Sequence, residues 1–203
     1  MPKVVAGYKL QARARIVEAA RAVFHRKGLA RATMEDIAKE IGVSKGALYL
    51  YFRTKSELLA AIQAQFRQEV LGSWEALLDE GDVAEGIAHS LDTVFSGEVD
   101  PAVWHELLTE AASDPEVRAT LELDQREDSK MMRRFLKRLQ IRGRIRPMED
   151  LEAVTDVVLM LLQGTAARIM MKGLTGDAHE RLVRSLRLVL GTSRPSGRAA
   201  SPR

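Results

Sequence analysis

Apolar residues return every three or four positions along almost the whole chain, and no convincing alternating run interrupts them. A period near 3.6 buries one side of a helix, whereas a strand needs a period of two, so the pattern predicts an all-α fold. Ile16, Ala20, Val23 and Phe24 share one face of a first helix over about Leu10 to Lys27, with Gly28 as its stop. Two short helices follow. Thr33 with Asp36 three residues later reads as a capping box for the first, and Ser44 caps the second. Thr54 and Glu57 repeat the signature at the start of a fourth helix, about Lys55 to Leu78.

Asp82 is a candidate cap for a fifth helix ending near Phe95. The pairs Asp100-Pro101 and Asp114-Pro115 place a capping acid before a proline and open the sixth and seventh. The seventh extends to about Arg142, the eighth covers about Glu149 to Lys172 and the ninth about Asp177 to Leu190. This makes nine helices, with expected divisions into 1–55 and 56–191 and a tail over 192–203 expected to be disordered.

Composition narrows the chemistry. With 203 residues and 46% hydrophobic content the chain can bury a sizeable core, and with no cysteine it has no disulfide, thiolate nucleophile or cysteine-ligated metal. The four histidines form no HExxH arrangement, and GVSKGALY lacks the spacing of a phosphate-binding P-loop, so neither an enzyme nor a metal or cofactor site is expected. The apolar C-terminal stretch between Asp156 and Arg168 is too short to cross a bilayer, and the expectation is a cytoplasmic protein without membrane contact. Charge is uneven: residues 1–55 hold 12 Lys and Arg against 4 Asp and Glu, whereas the remainder is net acidic. A basic end facing an acidic body predicts a polyanionic partner for the basic end, which the turn between Ile41 and Ser44 narrows to double-stranded DNA.

Only Gly42 and Val43 separate Ile41 from Ser44, the tight turn of a helix-turn-helix. On the second short helix Leu48 and Phe52 fall on the buried side, while Lys45, Gly46, Tyr49 and Leu50 point away. Gly46 and Ala47 would let the helix approach a duplex closely, Lys45 brings charge, and Tyr49 offers a ring and a hydroxyl. The stretch ATMEDIAKEIGVSKGALYLYFRTKSELL, Ala32 to Leu59, resembles the signature of TetR-family transcriptional regulators, and ARIVEAARAVFHRKG resembles that family's first helix. Leu29 stands where an aromatic is commoner, and Leu50 occupies a variable position. The resemblance implies that Thr33 binds a phosphate, that Ser44, Lys45, Gly46 and Ala47 line the major groove, that Tyr49 and Tyr51 touch phosphate or base edges, and that Lys55 touches a phosphate.

Beyond the module, the eighth helix is apolar almost all round and the ninth repeats Leu182, Val183, Leu186, Val189 and Leu190 on one face. Pairing both helices with those of a second copy would cover them, as the resemblance also implies, so Val183, Leu186, Val189 and Leu190 are the expected homodimer contacts. Candidate lining residues for an effector cavity are Phe66, Trp74, Ile87, Leu91, Phe95, Trp104, Leu108, Met131, Phe135, Met160 and Leu161. Seven basic residues between Arg133 and Arg146 suggest a small lipophilic effector with an anionic head, such as an acyl thioester; a lipophilic cation is the alternative. The expected function is a ligand-responsive repressor on a palindromic operator, and the competing one an effector-free architectural DNA-binding protein.

Overall fold

The structure, a computed structural model, describes the backbone of residues 3–96, 109–172 and 176–192, and the side chains of 8–91, 109–169 and 177–192. Among the described residues all regular structure is helical: α1 (Lys3–Lys27), α2 (Met34–Ile41), α3 (Lys45–Tyr49), α4 (Lys55–Trp74), α5 (Val83–Ser96), α6 (109–113 in its described part), α7 (Pro115–Ile141), α8 (Leu151–Lys172) and α9 (Gly176–Leu190). The expected start of the sixth helix and the tail beyond 192 lie outside the described residues. So does the side chain of Phe95, as do Trp104 and Leu108.

The helices form two compact units, one from the described parts of Met1–Glu69 and Val94–Arg126, the other from Val70–Thr93 and the described parts of Glu127–Arg203. This division differs from the expected boundary at 55. The core of the first unit joins Ile16, Ala20, Val23 and Phe24 of α1, Ile37 of α2, Leu48 and Phe52 to Leu58 and Leu59 of α4, and then to Ala111, Val117 and Leu121. The three-helix module therefore shares its apolar centre with the first part of α4 and with residues more than fifty positions later.

In the second unit Trp74 stacks on Phe135 at 4.9 Å between ring centroids. The α-helical geometry of α4 stops at Trp74, and Glu75–Leu78 tighten into a 3-10 turn that buries Leu77 and Leu78 together. Arg138 grips Glu75 with two bonds at 2.6 and 2.9 Å, Arg142 pairs with Asp79, and Arg144 donates to the carbonyls of Leu77 and Gly81. The basic run at the end of α7 and just beyond it thus holds the turn in place. On the opposite helix, Val183, Leu186 and Leu190 of α9 are buried within the chain itself and Val189 is half-buried. Val183, Leu186 and Leu190 therefore pack within the chain, which corrects their expected place on a dimer face, while Val189 and the 79% exposed Leu188 leave part of α9 at the surface.

Candidate nucleic-acid interface

The α2–α3 turn is built from local rules. Thr33 Oγ1 accepts the Asp36 amide at 3.2 Å while the Asp36 carboxylate accepts the Thr33 amide at 3.1 Å, which satisfies two donors at the helix start. A bond from Lys27 and further bonds from the Thr33 side chain and amide hold the Asp36 carboxyl down at about 2. Gly42 ends α2 at φ 72°, in the left-handed region where a side chain is strained, and Val43 N closes the turn on the Ala38 carbonyl at 3.0 Å. Ser44 Oγ then accepts the Ala47 amide at 3.2 Å to start α3.

The unit is braced from behind. Lys27 bonds to Asp36 and Arg26 to Glu40, each at 2.6 Å, fixing α2 on the end of α1. Arg13 donates to the Tyr51 carbonyl at 3.1 Å, and its guanidinium lies 4.0 Å from the centre of the Phe52 ring. Sequence reasoning gave Arg13 no such role, since its partners are 38 and 39 residues away.

What this frame presents is the outer face of α3. Ser44, Lys45 and Gly46 are exposed, Ala47 is half-buried, and Tyr49 is 40% and Leu50 85% exposed. Lys45 Nζ stands 5.9 Å from the centre of the Tyr49 ring, one helical turn on, so charge and aromatic ring share one edge of the helix. A short capped helix carrying a lysine, a glycine and a tyrosine outward, at the basic end of the chain, is the geometry of a major-groove reader.

Comparison with known proteins decides the family. Residues 16–62 match the family model described as bacterial regulatory proteins, tetR family. The chain is 32% identical over 171 residues to the HTH-type transcriptional regulator YfiR of Bacillus subtilis (strain 168), covering 80% of this chain and 82% of that one. The chain belongs to the TetR family of transcriptional regulators. A TetR-family structure from Rhodococcus sp. shares the fold with a TM-score of 0.71 at 22% identity, over 88% of this chain and 97% of that one. The SmeT–triclosan complex is also similar, with a TM-score of 0.62 at 25% identity over 88% of each chain.

Within this TetR-family frame, three of the expected DNA contacts sit differently from the α3 group. The Thr33 hydroxyl already bonds Asp36 Oδ2 at 2.9 Å, in addition to accepting the Asp36 amide. Tyr51 is half-buried against the core of the first unit. Lys55 is the largest departure: its ammonium donates to the Leu29 carbonyl at 2.9 Å and pairs with Glu110 at 3.3 Å. In this structure the cation joins α4 to α6 within the first unit. The signal that would have found it is Glu110, which lies too far along the chain for any local rule to connect.

The expected effector residues also divide. Trp74, Ile87, Leu91 and Phe135 are buried in the second unit, Met131 and Leu161 are half-buried there, and Phe66 is half-buried in the first. Met160 is 68% exposed, so it lines no interior cavity of the chain. An open cleft of about 570 Å³ does lie at the α7–α8 corner, lined by Arg133, Arg134, Lys137, Gln140, Glu149, Asp150, Leu151 and Glu152. Three cations there, all from the basic run expected near a cavity mouth, face three carboxylates, and none of the expected apolar lining residues contributes. Among the described residues no group of three or more His, Asp or Glu could hold a metal ion, and no helix is long and apolar enough to cross a membrane.

Proposed function

We propose that this TetR-family regulator is a ligand-responsive repressor that binds a palindromic operator as a homodimer and leaves it when a small lipophilic effector binds. The observation that carries the reading is the outward face of α3: Lys45, Gly46, Tyr49 and Leu50 are exposed, yet they stand on a turn held by two side-chain caps and three braces from α1. Structure invested around an unpacked face points to a partner outside the chain.

The homodimer reading moves from α9 to the outer row of α8. Ala153, Val157, Met160 and Gly164 recur every three or four residues and all are exposed, a small and apolar stripe on which another α8 can lie. Two reading heads related by a two-fold axis suit half-sites about 34–36 Å apart. For the effector, the stacked Trp74–Phe135 pair supplies an aromatic wall, and buried Trp74 Nε1 finds no acceptor among the described residues. An unmet buried donor costs about 1–3 kcal/mol, so an apolar ligand bearing an acceptor would gain by meeting it. The triclosan complex of a similar protein supports a ligand of that size and character. Such a ligand releases DNA only by binding the released conformer more tightly.

Footprinting with the full chain tests the reading. One discrete palindrome upstream of a gene is the expected protection, with occupancy lost on titration of an apolar ligand, triclosan being the first probe. Diffuse protection without sequence preference would instead make the protein an architectural binder.

A further inference from the structure

Gly46 has no reason to be glycine inside this chain. A Cβ added there would meet nothing within 4 Å, and its φ is not positive. Glycine is less favourable than alanine at a helical position, so the free protein bears that cost without any steric return. One turn further on, Leu50 closes α3 in helical geometry and is the most exposed large apolar side chain among the described residues. It too has no internal role. Positions 46 and 50 are four apart on a helix and therefore neighbours on one face, next to the edge formed by Lys45 and Tyr49.

The two anomalies explain each other if the partner brings a small apolar group to this face. A bare backbone at Gly46 leaves open space beside the helix, and the exposed Leu50, four positions on, is the apolar side chain on the same face. In the major groove the apolar group available on base edges is the thymine 5-methyl, which distinguishes thymine from every other base. We propose that Gly46 and Leu50 form a notch that takes the 5-methyl group of one thymine in each half-site. The inference rests on the operator-binding reading above and deepens it by naming a base determinant. Charge supports the occupant, since Lys45 flanks the notch and residues 1–55 carry 12 Lys and Arg against 4 acids.

Duplexes selected from a random-sequence pool by the full chain provide the probe, each compared with copies in which single thymines are replaced by deoxyuridine, which differs only in lacking the methyl. One thymine per half-site should lose about fourfold in affinity on replacement, the value for one buried methyl-sized group. Leu50→Ala should bind the thymine duplex less well and no longer distinguish it from the deoxyuridine copy. Gly46→Ala should melt at a higher temperature than the parent yet bind every duplex more weakly. Equal binding of all thymine and deoxyuridine duplexes by the parent, or a methyl preference that survives Leu50→Ala, overturns the notch while leaving operator binding intact. Gly46→Ala that binds as the parent does would overturn the close approach on which the notch depends. Failure to select any sequence overturns both readings.

Discussion

In the first unit α3 holds Tyr49 and Leu50 outward, whereas in the second α9 turns Leu182, Val183, Leu186 and Leu190 inward. Both helices are short amphipathic segments, and both were candidates for meeting something outside the chain. The difference lies in what surrounds them. Leu48 and Phe52 already satisfy the core of the first unit, so the other side of α3 is free to be exposed. The stripe of α9 instead packs within its own unit, while its outer side carries Arg181 and Arg184 paired with Asp177 and Glu180, and the exposed Leu188. An apolar side chain with no packing duty marks a binding face; one that completes its own core does not.

The sharpest way to break the comparison is at Leu186. Leu186→Ala should destabilise the chain by about 2–5 kcal/mol, as for a fully buried leucine, and be read in thermal or denaturant unfolding. Met160→Glu, on the exposed row of α8, should sediment as a monomer that still folds cooperatively, losing only the stability that association adds at a given concentration. Were Leu186→Ala to remain fully stable and only dissociate, α9 would regain its place as the dimer face.

Tyr49→Ala should show the reverse balance. Specific DNA affinity should fall by roughly 1–3 kcal/mol in a binding titration, with little change in melting temperature. A large loss of stability instead would mean that the ring packs within the chain. Intermediate in size is Lys55→Ala, which removes a bond to the Leu29 carbonyl and a pair with Glu110. Unfolding should then become easier by about 1–2 kcal/mol. Unchanged unfolding would place the ammonium outside this contact, where a phosphate could claim it.

The smallest effect is the acid response of α2. The Asp36 carboxyl is lowered from its ordinary 3.8 to about 2, so the folded state holds its proton less tightly than the unfolded state does. Its contribution to stability is therefore complete above pH 4 and disappears as the pH falls through about 2. Asp36→Asn should lose part of that acid dependence, followed by unfolding curves at stepped pH, and an unaltered pH profile would rule out the carboxylate as its source.

Much of the first unit was legible because its determinants are local. The caps at Thr33, Ser44 and Thr54, the left-handed Gly42 and the outward α3 face all depend on residues within four or five positions of one another. Asp82 and Asp114 likewise accept amides at the starts of α5 and α7, as their positions before those helices indicate. One local detail differs: the Glu57 carboxylate accepts from the Arg53 amide and not from that of Thr54.

Where long-range partners decide, local patterns run out. The basic run at the end of α7 and just beyond it reads as a solvent or ligand face, yet Arg138, Arg142 and Arg144 reach back more than sixty residues to the turn after α4. Burial alone pushes the Asp82 carboxyl up, but the bond from Arg187, 105 residues away, and the amides of Glu85 and Ala84 outweigh it and hold the group low. By itself the sequence determined the helices, their caps and the outward face of α3, because periodicity and capping act within one or two turns. Only the tertiary structure decided that Lys55 faces Glu110, that Arg13 holds the Tyr51 carbonyl and that α9 faces inward, because a charge or an apolar stripe states that it needs a partner and the path of the chain selects which one.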